Sequence, residues 1–282
     1  LFMADQDMPI ESAEDTIKRI FSSGDSTVGA EITHEFNRYS RLQEAKFPKP
    51  ARTRLIAVAN QKGGVGKTTS TVNLAAALAQ NGARVLVIDM DPQGNCSTAL
   101  GVRHESGEPS VYDVLEGRMS IAEVKRQCPD LSSLDVVPAS IDLSGAELEV
   151  AQFENRNNLL NEAVQQFLRE SNEHFDYVFV DCPPSLGLLV INAMCAVREM
   201  LIPIQAEYYA LEGLGQLINT IGLVQEHFNP ILTVSTMMVT MFDKRTLLSR
   251  EVYNEVKSHY PSIVLDTTIP RTVKISEAPS FN

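Results

Sequence analysis

No apolar run in the chain reaches the roughly 18 residues that a membrane-spanning helix needs, so no transmembrane segment is expected. No secretory leader is visible, and Met3, behind Leu1-Phe2, reads as the natural start. The four cysteines, Cys96, Cys128, Cys182 and Cys195, contain no C-x-x-C pair. That argues against zinc and disulfide frameworks and for the reducing cytoplasm. Positive charge is scarce: 24 Lys and Arg stand against 36 Asp and Glu, a net charge of −12. Such a chain does not coat nucleic acid with its whole surface. A local basic patch stays open, because binding follows the field at the contact face rather than the sum. Internal repeats and low-complexity tracts are absent too.

What is present is an ordinary globular composition, 44% hydrophobic over 282 residues, with enough apolar content for a sizeable core. Residues 1–50 read as an N-terminal extension, either a partly disordered arm or short docked helices at Ile10–Phe21 and Glu31–Phe47. The prolines of Phe47-Pro48-Lys49-Pro50 make a linker. The extension is too weakly patterned for a helix-turn-helix module. Residues 51–282 alternate strand and helix patterns, which predicts one α/β domain. Strands are expected at Leu55–Ala59, Arg84–Asp89, Leu134–Pro138, Phe175–Asp181, Met200–Ile204, Ile231–Thr240 and Val264–Ile269. Helices are expected at Thr69–Gln80, Leu143–Phe153, Asn157–Arg169, Leu211–His227 and Leu247–Ser258. This order predicts a doubly wound, mostly parallel sheet with helices on both faces and ligands at the C-terminal strand ends.

The most specific stretch is Lys62-Gly63-Gly64-Val65-Gly66-Lys67-Thr68-Thr69, between the first strand and the first helix. Glycines let successive backbone N–H groups turn onto phosphate oxygens, and the helix that follows aims its positive end at an anion. Lys67 is placed to reach β- and γ-phosphates, and the Thr68 hydroxyl to ligate Mg²⁺. The ordinary phosphate loop has a glycine where this chain has Gln61, and a second lysine, Lys62, precedes the glycine pair. This is the deviant form of the Walker A loop, and the fold expected is therefore of the P-loop NTPase type.

Two strands end in carboxylates. Asp89 and Asp91 belong to Asp89-Met90-Asp91-Pro92-Gln93-Gly94-Asn95, where they can orient a water or a Mg²⁺ ligand. Asp before Pro-Gln-Gly is also common turn chemistry, and the neighbouring phosphate loop favours the functional role. Asp181 ends Val178-Phe179-Val180-Asp181, the Walker B arrangement that holds Mg²⁺ directly or through water. Cys182 beside it reads as packing.

With these motifs in place the chain resembles ParA/Soj-type chromosome or plasmid partition ATPases, of the ParA/MinD class of deviant-Walker NTPases. The resemblance runs from about Arg54 to Asn282 and includes Asp181–Gly187, Glu207-Tyr208-Tyr209-Ala210-Leu211-Glu212-Gly213-Leu214 and Ile269–Ser280. It implies an ATP-dependent homodimer in which Lys62 crosses to the partner's nucleotide, Lys67 and Thr68 serve phosphate and Mg²⁺, and Asp91 supports the hydrolytic water. It further implies non-specific binding of double-stranded DNA by the ATP dimer, with a ParB-type partner stimulating hydrolysis and release. Arg245, Arg271 and Lys274 match positions that contact DNA phosphates in ParA proteins, though surface charges of this kind are also ordinary solvated groups. The location implied is the cytoplasm, on the nucleoid, with no stable membrane insertion. Family members continue beyond the Ser276-Glu277-Ala278-Pro279-Ser280 motif, so the C-terminal end at Asn282 reads as truncated.

Three rival readings share the deviant loop. A MinD-like membrane-cycling ATPase of division-site placement needs a C-terminal amphipathic helix, and none is visible. A redox protein like the nitrogenase iron protein would bridge an iron–sulfur cluster across its dimer with cysteines. A nucleotide-binding scaffold without turnover is disfavoured by the joint presence of Lys67, Asp91 and Asp181.

Overall fold

The computed structural model describes residues 47–272 apart from Tyr209, and leaves the side chains of Ala146, Glu147 and Glu212 undescribed. The chain divides into two units, Leu1–Pro48 and Lys49–Asn282. The extension's expected helices, Ile10–Phe21 and almost all of Glu31–Phe47, lie outside the described residues, as does Lys274.

The larger unit is built on a seven-stranded sheet: β1 (Arg54–Val58), β2 (Val85–Asp89), β3 (Arg126–Cys128), β4 (Leu131–Val137), β5 (Tyr177–Asp181), β6 (Glu199–Gln205) and β7 (Thr233–Thr240). Their order across the sheet is β3-β4-β2-β5-β1-β6-β7. Every pairing is parallel except β3 with β4. The central strands read as continuous apolar runs because helices cover both faces. In β1, Leu55 and Ala57 enter one core layer while Ile56 and Val58 enter the other. Likewise Leu86 and Ile88 of β2 face the first layer, and Val85 and Val87 the second.

The described helices are α1 (Lys67–Gln80), α2 (Asn95–Ala99), α3 (Val111–Leu115), α4 (Ile121–Val124), α5 (Leu143–Val150), α6 (Leu159–Glu170), α7 (Leu188–Ala196), α8 (Ala210–His227) and α9 (Leu247–His259). Ser110 and Ser120 begin α3 and α4 with capping boxes completed by Asp113 and Glu123. Thr246 caps α9 by accepting from the Ser249 N–H at 3.3 Å. These satisfy N–H groups that a helix start leaves without partners.

The structure corrects the expected last strand. Val264–Ile269 forms no ladder: Met237 and Phe242 make only isolated bridges, to Val264 and Pro270. Leu265 N–H donates to Met237 O and Ile269 N–H to Val239 O, both at 2.9 Å, so residues 266–268 must loop outward between the two contacts. Asp266 leaves the edge to pair with Lys257 at 2.9 Å. Expected helix Leu143–Phe153 is also shorter than its pattern, ending at Val150.

Candidate nucleotide site

The parallel strands converge at their C-terminal ends, and the candidate residues gather there. The chain leaves β1 at Val58 and turns through Asn60 to Gly66 before α1 starts at Lys67. Asn60 ties this turn down: its Nδ2 donates to Pro203 O at 2.8 Å, and its Oδ1 accepts from the Lys62 N–H at 3.0 Å. Gly66 is the N-cap of α1 with φ 90°, a left-handed backbone that a side chain would strain. Thr240, the last residue of β7, donates its hydroxyl to Val65 O at 2.8 Å and so props the loop from behind.

The two loop lysines have different surroundings. Lys67 is only 6% exposed, and its Nζ donates to Lys62 O at 3.1 Å. Burial lowers its pKa, while Asp181 pulls the other way. The Lys62 side chain is 38% exposed and points across to Glu207, Nζ to Oε2 at 2.8 Å.

Behind the loop stand the carboxylates. Thr68 donates to Asp181 Oδ2 at 2.7 Å, and Thr71, one turn further along α1, donates to Oδ1 at 2.9 Å. Asp89, at the end of the neighbouring strand, accepts from both the N–H and the hydroxyl of Ser97 on Oδ2, at 2.9 and 2.7 Å. Its Oδ1 takes the Asp91 N–H at 3.1 Å. Desolvation, with repulsion from Asp89, pushes Asp181 up to about 7, and desolvation, with a smaller repulsion from Asp91, pushes Asp89 up to about 6. Asp91 is nearly buried and accepts from the Gln93 N–H at 3.0 Å, which fixes the turn into α2. Gly94 closes that turn at φ 63°; a Cβ there would meet the His104 ring at 2.6 Å.

The structure therefore brings Lys62, Gly63, Gly64, Val65, Gly66, Lys67, Thr68, Thr69, Asp89, Asp91 and Asp181 to one end of the sheet. Asp89, with both oxygens occupied by its own chain, faces Ser97 and Asp91 rather than Thr68. Thr71, Ser97 and Thr240 join the site without any motif marking them, while Glu207, the first residue of the Glu207–Leu214 motif, meets Lys62 at its rim. Thr71 was within reach of a helical-face argument, since it follows Thr68 by three residues. The others depend on strand order.

Arg245 and Arg271 occupy neighbouring loops past β7. Arg245 is 89% exposed and grips Asp243 with two bonds, Nε to Oδ1 at 3.0 Å and Nη2 to Oδ2 at 2.9 Å. These bonds, with a smaller pull from Arg271, hold the Asp243 carboxyl down to about 2. Arg271 is 66% exposed and lies 3.6 Å from Glu207 Oε1. The two arginines thus share a rim beside the phosphate loop.

A glycine turn at a helix start, a buried ammonium, and a hydroxyl beside a buried carboxylate form a cradle for a polyphosphate with a hard divalent cation. A family model described as an AAA domain matches residues 53–234. Over 230 residues the chain is 47% identical to the chromosome partitioning protein ParA of Caulobacter vibrioides, covering 81% of this chain and 84% of that protein. The chain belongs to the ParA/Soj family of partition ATPases. The sporulation initiation inhibitor protein Soj of Bacillus subtilis is similarly 47% identical over 227 residues, or 80% of this chain and 88% of that one. Among solved structures, cobyrinic acid a,c-diamide synthase from Mycobacterium smegmatis with bound ATP analogue and magnesium superposes with a TM-score of 0.71 at 38% identity. That match covers 81% of this chain and 92% of the other.

Proposed function

We propose that this ParA/Soj-type chain binds ATP with Mg²⁺ at the loop of residues 62–69 and dimerises on ATP. The dimer binds double-stranded DNA without sequence preference, and a ParB-type partner stimulates hydrolysis and release. When bound, Mg²⁺ offsets phosphate charge, and Thr68 and Asp181 are the residues that would hold it directly or through water. Lys67 serves the phosphates of its own subunit, and Asp91 positions the hydrolytic water. The protein then works in the cytoplasm, on the nucleoid.

The observation that carries this reading is the division between the lysines. Lys67 is buried at the start of α1, whereas Lys62 is 38% exposed in a hydrated ion pair with Glu207, from which a nucleotide outside its own subunit can draw it. Supporting it, Arg245 and Arg271 stand exposed beside the same loop, each in a surface pair with a carboxylate that DNA phosphates can displace. All four cysteines are buried, which disfavours the iron–sulfur alternative. Among the described residues no helix is long and apolar enough to cross a membrane.

The test is DNA pelleting with ADP against a slowly hydrolysed ATP analogue. The protein is expected to pellet with random-sequence DNA only in the analogue. Equal pelleting in both nucleotides, or none in either, would overturn the ATP-gated DNA binding.

A further inference from the structure

Glu207 opens the Glu207–Leu214 motif, just beyond the end of β6. Strand β6 pairs with β1, Leu201 beside Val58, so the exit of β6 lies next to the exit that forms the phosphate loop. Three side chains converge on its carboxylate. Gln205 Nε2 donates to Oε1 at 2.5 Å and Arg271 stands 3.6 Å from the same oxygen, leaving Oε2 for Lys62 at 2.8 Å.

The Lys62 backbone cannot follow its side chain. Its N–H is tied to Asn60, and Asn60 to Pro203, so only the four-carbon stem is free to swing. Both members of the pair are part-exposed, the side chains at 38% and 43%. An ion pair so hydrated is weak and easily displaced by a group of higher charge, such as a polyphosphate.

We propose that Glu207 is a positioning residue that holds the Lys62 ammonium inside its own subunit and competes for it with the partner's nucleotide phosphates. The inference rests on the reading that Lys62 acts across the dimer. Glu207 sets the nucleotide level at which the chain pairs: while the carboxylate holds Lys62, the free subunit is favoured, and dimerisation must first break that contact. The Glu207 carboxyl is held below its ordinary range, first by Lys62 and then by Arg271, so it stays ionised at neutral pH.

The experiment follows mass by light scattering of the full chain as Mg²⁺ and a slowly hydrolysed ATP analogue are raised. Wild type is compared with Glu207→Gln, Glu207→Asp and Lys62→Ala. Glu207→Gln keeps the shape and the Gln205 contact but removes the charge. It is expected to lower the analogue concentration for half-dimerisation by about two- to fivefold, the range an ion pair of this exposure carries. Glu207→Asp, which restores the carboxylate, is expected to return it toward wild type. Affinity for a fluorescent ATP analogue, at protein concentrations too low to pair, is expected to stay unchanged in Glu207→Gln; general damage to the loop would move it. An unchanged or raised midpoint in Glu207→Gln, with Lys62→Ala unable to pair, overturns the role of Glu207 alone. Wild-type pairing by Lys62→Ala overturns the trans-acting lysine and this role with it.

Discussion

Asp89 and Asp181 stand opposite each other in register on β2 and β5, and neither has any exposed surface. Two carboxyls side by side in a dry interior repel when both are ionised, and four donated hydrogen bonds from Thr68, Thr71 and Ser97 only partly offset the lost water. The sheet thus holds concentrated negative potential directly behind the Thr68 hydroxyl. That is costly in the free protein and useful wherever a divalent cation is to be held.

Stability of the metal-free protein should therefore depend on pH in an unusual sense for acidic groups. Both folded pKa values are raised above the ordinary carboxylate value of 3.8, to about 7 for Asp181 and about 6 for Asp89. The unfolded chain releases these protons first, so the native state binds more protons between about pH 4 and 7, and stability is lost as pH rises through that window. Asp181→Asn removes one titration and relieves the repulsion on the other. Thermal unfolding in EDTA should show wild type losing ground to this variant from pH 4.5 to 8. A gap that stays constant with pH would mean the two carboxyls do not titrate there.

Thr240→Val tests the prop behind the loop. The swap keeps the shape but leaves the Val65 carbonyl without the 2.8 Å hydroxyl donor. A buried acceptor left unpaired costs about 1–3 kcal/mol, so a lower melting temperature is expected. The loop should also hold nucleotide less well, seen as a higher KM for ATP with kcat less affected. Wild-type values for both would show that the hydroxyl does no more than fill space.

Much of this was legible in the sequence. The strands that carry the site are buried on both faces, so their residues form unbroken apolar runs ending in a carboxylate, and the phosphate loop is contiguous. Other parts lack such a signal. Helix α7 is buried on nearly every side, so its residues show no amphipathic period. The three residues of β3 are too few to make a pattern. Val264–Ile269 has strand-like residues at both ends but loops out between them. Thr240 meets its loop partner across 175 residues, and Glu207 meets Lys62 across 145. Those meetings are created by strand order, which no local window contains.

Asp91→Ala separates binding from turnover. Asp91 holds the turn into α2 through the Gln93 N–H and lies at the mouth of the site beside Asp89. The variant should bind ATP and pair but hydrolyse at least about a hundredfold more slowly, the range usual for loss of an acid–base group. Its ATP dimer should remain on DNA longer than that of wild type. Near-normal turnover under partner stimulation would leave Asp91 as a turn residue only.

Lys62→Ala separates binding from pairing. Monomeric nucleotide affinity should be largely kept, because Lys67 and the backbone N–H groups of the loop remain. Pairing in ATP should be lost, since Lys67, the loop's other cation, is buried. Light scattering of the variant with Mg²⁺ and ATP checks it, and a stable dimer would end the trans-acting role.

Arg245→Ala combined with Arg271→Ala should abolish DNA binding and spare ATP-dependent pairing. A chain with net charge −12 can hold DNA only through a concentrated cationic face, and these two arginines share a rim past the end of β7. Each is engaged in the free protein, Arg245 by Asp243 and Arg271 by Glu207, so DNA phosphates must displace carboxylates to reach them. Both pairs are exposed enough for that exchange to cost little. In a two-fold dimer the rim occurs twice, which doubles the phosphate contacts and steepens the fall of affinity with salt. Each lost phosphate contact should reduce the slope of log affinity against log salt by about 0.9 on double-stranded DNA, with no change in sequence preference. The measurement is binding to random DNA in ATP, from low to physiological salt, on wild type, the two single variants and the double variant. Slopes and affinities that match wild type throughout would put the DNA-binding face elsewhere on the molecule.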